Sequence, residues 1–227
     1  AGCAKYAEAV VLDPNVPPNL CVPGKAEVAA VVAKLTGKVA EATEPKYAHI
    51  KCRGGNGIAK LAYEYKGVHD CAAAKIVQQG PKFCKFGCLG FGNCTRACPF
   101  GAMSMGENGL PVVNKTLCTG CGKCASVCPN HVIELLPISA KVSISCSSKD
   151  FGAPAMKNCK ALCLGCGSCM RNCSHQEEGA IKIIDHLAVV NQDICHTCDN
   201  ATCLTKCPTG AINEMIKGSF KKEENVG

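Results

Sequence analysis

The chain has 227 residues, enough for one or two domains, yet it holds no Trp, only 4% aromatics and 22 cysteines. Without those cysteines its apolar fraction falls from 47% to about 37%, below the usual range, so a conventional hydrophobic core would be thin. The formal charge of +7 points to an acidic partner; no apolar run approaches the ~20 residues that span a bilayer, residues 26–35 being too short, so the chain as it stands reads as soluble.

Two helices are predicted in the first forty residues. Cys3 opens one that runs to Val11, a loop follows at Pro14, Pro17 and Pro18, and Cys21-Val22-Pro23-Gly24 precedes an Ala/Val-rich helix expected to pack locally. Residues 36–45 read as a linker. Residues 47–51 read as a strand, and Gly54, Gly55 and Gly57 as a turn, since neither a phosphate-loop pattern nor a dinucleotide-binding context surrounds them. Four parts are expected: a small helical N-terminal domain at 1–44, a connecting segment at 45–83 that carries Cys52 and Cys71, and two cysteine-rich modules at 84–145 and 146–227.

Cys118, Cys121, Cys124, Cys128 and Pro129 read C-x2-C-x2-C-x3-C-P, the bacterial ferredoxin spacing for 4Fe-4S clusters. Three cysteines three residues apart wrap one cubane, while the fourth points away and, in two-cluster ferredoxins, ligates the other cluster. Pro99, Pro129 and Pro208 suit the exit from such loops, because proline steers the chain into extended structure. Gly120, Gly122, Gly165 and Gly167 are expected to let backbone N–H groups approach the sulfurs.

The pattern repeats. Cys84, Cys88, Cys94 and Cys98 align with Cys159, Cys163, Cys169 and Cys173 at an offset of 75 residues, and the match continues through Val112-Val113-Asn114 against Val189-Val190-Asn191 to Cys118 against Cys195. Short apolar runs at 102–105, 132–136, 181–184 and 211–212 read as strands, with brief helical turns after the cysteine loops. The expected fold is therefore α+β: tandem two-cluster ferredoxin modules behind the helical N-terminal domain.

Ligand exchange between paired clusters gives the expected groups. They are Cys163, Cys166, Cys169 with Cys207; Cys195, Cys198, Cys203 with Cys173; and Cys118, Cys121, Cys124 with Cys98. Cys88, Cys94 and Cys128 supply only three ligands, because Phe91 stands where the repeat has Cys166. Cys84, nearest in sequence, is expected to complete that group. Cys52, Cys71, Cys146 and Cys159 then remain for a fifth cluster between the modules, the alternative being that some are buried free thiols. Two departures stand out: Cys198 and Cys203 are separated by four residues, and Ser174 follows Cys173 where a proline is usual.

Five clusters of charge about −2 each turn the formal +7 into about −3, so the bare charge is no argument for nucleic-acid binding. A secreted disulfide scaffold does not repeat this spacing, and structural zinc pairs two C-x2-C hooks without a third cysteine after each. The Cys159, Cys163, Cys166 spacing also matches that of radical S-adenosylmethionine enzymes, but Cys169 completes an ordinary loop and no barrel is predicted. His69, His131, His175 and His196 read as surface or satisfied histidines; no C-x-H pair sites two imidazoles on one iron. The Lys221-Lys222-Glu223-Glu224 end reads as solvated.

With these residues in view, the chain resembles the B subunits of Rnf-type ion-translocating ferredoxin:NAD+ oxidoreductases in their long, polyferredoxin form. Gly2-Cys3-Ala4-Lys5-Tyr6-Ala7-Glu8-Ala9 with Cys21-Val22-Pro23-Gly24 is similar to the back half of that family's N-terminal cluster motif. The resemblance implies that Cys3 and Cys21 belong to a sixth cluster whose other two ligands, with a membrane anchor, precede Ala1. It implies an electron-carrying subunit at the cytoplasmic face of an inner membrane, with reduced ferredoxin as donor, other subunits of the complex as partners, and neither a catalytic site nor direct NAD binding of its own. A soluble polyferredoxin subunit of another oxidoreductase is the alternative.

Overall fold

The computed structural model of the chain describes residues 2–40 and 44–216. The expected solvated end at 221–224 and the centre of the predicted linker lie outside them. Near the N-terminus, α1 (Gly2–Leu12) and α2 (Lys25–Thr36) form a small helical pair. The Tyr6 hydroxyl donates to Pro18 O at 2.6 Å, and Lys38 Nζ donates to Asp13 O and Val16 O at 2.6 and 2.8 Å. Gly37, at φ +67°, ends α2 in the left-handed conformation that glycine adopts without a Cβ penalty.

The next elements are β1 (Lys46–Ile50), α3 (Cys71–Ile76), α4 (Asn93–Arg96), β2 (Met103–Met105), β3 (Pro111–Val113), α5 (Lys123–Ser126) and β4 (Ile133–Pro137). After them come β5 (Val142–Ile144), α6 (Gly152–Asn158), α7 (Ser168–Arg171), β6 (Ile181–Ile184), β7 (Leu187–Val190), α8 (Gln192–Cys195), α9 (Thr202–Thr205) and β8 (Ile212–Glu214). The strands make four antiparallel two-stranded ribbons, β1 with β4, β2 with β3, β5 with β8, and β6 with β7.

The pairing runs across the expected segment bounds. β1, placed by the sequence reading in the connecting segment, pairs Lys46 with Pro137 and Ile50 with Ile133. β5, placed by it at the end of the first module, pairs Val142 with Glu214 and Ile144 with Ile212. Each half thus closes on a strand supplied from before its first cysteine loop. Both faces of these ribbons are covered: Tyr47 and Ala48, which point opposite ways, are both buried, as are Val142, Ser143 and Ile144.

Two-stranded ribbons of three to five residues do not hold themselves together. Their packing partners here include many cysteines. One core cluster joins Ala48, Met103, Leu110, Val132 and Ile133 to Cys88, Cys94 and Cys124. A second joins Val142, Ile144, Leu162, Ile181 and Ile212 to Cys146, Cys159, Cys163, Cys169, Cys195 and Cys203, and a small third holds Tyr47, Leu136 and Ala140. Among the described residues no helix is long and apolar enough to cross a membrane.

Candidate metal centres

Four one-turn helices set the cysteines in pairs. α4 carries Cys94 and α5 carries Cys124; each helix stops within two residues, so that Cys98 and Cys128, four positions on, leave toward a different cavity. α7 and α9 repeat the device with Cys169 and Cys173, and with Cys203 and Cys207. A helix continuing through the second cysteine would have kept both thiols near one face.

Five cavities result, each lined by four cysteines. Site A has Cys98, Cys118, Cys121 and Cys124; site B has Cys71, Cys88, Cys94 and Cys128; site C has Cys52, Cys84, Cys146 and Cys159. Site D has Cys163, Cys166, Cys169 and Cys207, and site E has Cys173, Cys195, Cys198 and Cys203. They enclose 310, 370, 340, 320 and 270 Å³ respectively, part of it open to solvent. The groups expected for A, D and E each line a single cavity.

Sites B and C correct the sequence reading: Cys71, not Cys84, stands with Cys88, Cys94 and Cys128, and Cys84 stands with Cys52, Cys146 and Cys159. The cause is local. Asp70 caps α3, accepting from Ala72 N–H and Ala73 N–H at 2.8 and 3.0 Å, and its other oxygen accepts from Asn93 Nδ2 at 2.6 Å. Cys71 N–H donates to Asn93 Oδ1 at 2.9 Å, so the start of α3 is clamped to the start of α4 beside Cys94. Cys84 turns the other way: a methyl group added to Gly87 would lie 3.5 Å from Cys84 Sγ and 3.6 Å from Cys52 Sγ. Phe91 does not line site B; its ring packs on Tyr65 and His69, centroids 5.2 and 5.6 Å away.

One signal could have found this arrangement. Cys84 and Cys159 are repeat mates, and Cys52 and Cys146 each stand two residues past the first strand of their half, so site C takes equivalent pairs from both halves. Placing Cys159 in site C also separates it from Cys163 and Cys166, which removes the radical-enzyme spacing.

The donor chemistry fits iron–sulfur clusters. Burial pushes the Cys88 and Cys203 thiols up to about 12, and those of Cys94, Cys146, Cys169 and Cys195 up to about 11. Thiolates in such places need a cationic occupant. Backbone N–H groups aim at several sulfurs: Ala48 at Cys118 Sγ (3.4 Å), Cys88 at Cys52 Sγ (3.3 Å) and Ser148 at Cys146 Sγ (3.4 Å). At Cys207 burial works upward, but the N–H groups of Ile212, Thr209 and Ala211 and the Thr209 hydroxyl outweigh it and lower the thiol. Thr119 Oγ1, buried on the wall of site A, has no hydrogen-bond partner among the described residues. Among those residues no three His, Cys, Asp or Glu side chains are grouped closely enough to hold a single metal ion.

Ser174 occupies the proline position productively: its Oγ lies 3.4 Å from Cys198 Sγ and 3.0 Å from Asn200 O. His175 lines site E but pairs through Nδ1 with Glu178 at 2.7 Å, and His196 Nδ1 lies 3.1 Å from Gln192 O. Cys3 is exposed and Cys21 half-buried beside Tyr6; neither lines any of the five cavities. Cys166 is the exposed cysteine among the twenty that do.

Cysteine quartets held by one-turn helices and two-stranded ribbons define an iron–sulfur protein of the ferredoxin class. The 4Fe-4S dicluster domain family matches residues 87–133. Over 225 residues the chain is 54% identical to the B subunit of the proton-translocating ferredoxin:NAD(+) oxidoreductase complex of Clostridium ljungdahlii, covering 99% of this chain and 78% of that one. It is 41% identical over 212 residues to the B subunit of the ion-translocating oxidoreductase complex of Methanosarcina acetivorans, covering 93% and 78%. The B subunit of the Na(+)-translocating ferredoxin:NAD(+) oxidoreductase complex of Acetobacterium woodii is 37% identical over 199 residues, covering 88% and 58%. The chain belongs to the B-subunit family of Rnf-type ion-translocating ferredoxin:NAD+ oxidoreductase complexes.

Proposed function

We propose that this iron–sulfur electron-transfer subunit takes electrons from reduced ferredoxin and passes them through five 4Fe-4S clusters, at sites A to E, toward other subunits of a membrane-bound complex. The bound clusters supply one-electron redox chemistry. The chain itself supplies thiolates, excludes water and fixes the order of the sites. Its direct partners are ferredoxin and neighbouring subunits at the cytoplasmic face of the membrane, and NAD is reduced elsewhere in the complex. Two tandem ferredoxin modules, opening at β1 and β5, follow a helical N-terminal domain whose Cys3 and Cys21 contribute to a further cluster.

Continuity of the five sites carries the reading. A and B share the Cys94–Cys98 and Cys124–Cys128 connections, and D and E share Cys169–Cys173 and Cys203–Cys207. Site C bridges the halves: Cys52 Sγ accepts from the N–H of Cys88 of site B, and Cys159 precedes Cys163 of site D by four residues. These connections give the order A, B, C, D, E.

Anaerobic preparations of the chain are expected to hold about twenty irons and as many acid-labile sulfides at these five sites. Reduced ferredoxin is expected to bleach their visible absorption without forming NADH. Fewer than about sixteen irons, zinc in place of iron, or steady NADH formation by the chain alone overturns the reading.

A further inference from the structure

Site C is flanked by two cations that no described carboxylate neutralises. Lys82 is 7% exposed, lies in the wall of site C, and donates from Nζ to Gly54 O and to Cys88 O, both at 2.7 Å. Cys88 belongs to site B. Arg53, also in the wall of site C, donates from one guanidinium nitrogen to Gly210 O and to Thr209 O, in the loop that follows Cys207 of site D. Among the described residues neither cation stands within ion-pair distance of an Asp or Glu. Lys51, the third cation of that wall, differs: it pairs with Glu134 at 3.3 Å.

Burying an ammonium with only carbonyl partners is costly unless an anion lies close by. Four thiolates around an iron–sulfur core, of net charge about −2, provide that anion. Both cations also draw the Cys159 thiol toward its charged form, though its burial, the larger influence, works the other way.

We propose that Lys82, assisted by Arg53, acts as a fixed counter-charge that raises the reduction potential of the cluster at site C above the value its thiolates alone would set, making the bridge between the two halves the readier electron acceptor. The proposal rests on the five-cluster reading given above. The physical reason is charge. Reduction adds one negative charge to the cluster, and a nearby desolvated cation favours the reduced form more than the oxidised one. The placement also links the bridge to both neighbours, since each cation is hydrogen-bonded to a loop of the adjoining site.

Redox titration followed by EPR tests this on the intact chain. The signal missing from Cys146→Ala identifies the site C cluster. In Lys82→Met with full iron content, the midpoint of that signal is expected to fall by at least tenfold in the one-electron equilibrium constant, about 59 mV. Lys82→Arg, which keeps the charge, is expected to restore it. An unmoved midpoint in Lys82→Met overturns the proposal, and so does a fall of equal size in Lys82→Arg, which would make Lys82 a purely structural prop. Should Lys82→Met lose the site C iron, Arg53→Gln decides in the same way: a lowered midpoint upholds the proposal and an unchanged one overturns it. If Cys146→Ala loses no iron, the cluster reading of site C itself is wrong, a result distinguishable from any failure of Lys82.

Discussion

Cys71 and Cys84 are separated by thirteen positions and serve different cavities. Cys71→Ala is therefore expected to leave site B with three thiolates and a three-iron EPR signal, while Cys84→Ala gives the equivalent defect at site C. Iron analysis with EPR on the two variants distinguishes them, and identical spectra would contradict the assignment. Nearness along the chain misled the sequence reading here because the three residues between Cys84 and Cys88 let the Cys84 thiol turn either way. What decides is the Asp70–Asn93 clamp, which joins two segments more than twenty residues apart. Ser174 is a smaller case of the same kind. Its hydroxyl, which donates to Asn200 O here, lies 3.4 Å from Cys198 Sγ and can turn its proton to a cluster-bound thiolate there, as proline could not, so Ser174→Ala is expected to lower the site E midpoint while keeping iron.

At the scale of elements, the short helices and ribbons depend on backbone conformations that only glycine takes cheaply. Gly120 has φ +72°, and a methyl group there would lie 2.4 Å from Lys46 O on β1. Gly122 has φ +77° but would meet nothing nearer than Leu135 Cδ1 at 3.8 Å. Gly122→Ala should then cost about 1–2 kcal/mol of left-handed strain and still load iron. Gly120→Ala adds a backbone clash and is expected to displace the Cys118–Cys121 loop and lose the site A cluster. Iron per chain, measured on both, checks the contrast. The sequence reading attributed these glycines to N–H approach toward sulfur; the close packing of the loop on β1 is a second demand, which the one-dimensional pattern does not contain. α3 is fragile for another reason. The Asp70 carboxyl is held below the usual carboxylate range by the Ala73 N–H and then by Asn93, so its capping contribution is present above about pH 4 and lost as pH falls through its lowered value.

For the whole molecule, iron is expected to be part of the folding free energy. Chelation under reducing, anaerobic conditions should remove most of the helix and strand signal in circular dichroism, because cysteines are built into the two larger core clusters. The pH dependence should differ in sign with and without iron. In the loaded chain protons compete with iron for thiolate, so acidification releases iron. In the iron-free chain the buried thiols have raised pKa values, so whatever structure remains is favoured at neutral pH and lost as pH rises from about 9 toward 12. Circular dichroism and iron release measured across pH on both forms check this; parallel behaviour would argue against cysteine burial as the controlling term.

Cysteine spacing by itself determined the class of the protein, the repeat and three of the cysteine groups that line one cavity each, because the convergence of thiols within a C-x2-C-x2-C loop is a property of a few adjacent residues. The repeat also carried the symmetry of site C, in Cys84 against Cys159, without stating which cavity they meet in. Tertiary structure alone decided the exchange of Cys71 for Cys84, the pairing of β1 with β4 and of β5 with β8, and the placing of Lys82 and Arg53 in the wall of the bridging site. Each of these joins segments distant in sequence through one cap, one ribbon register or one buried side chain. Such contacts depend on where the chain has been brought by everything else, and no local pattern records them.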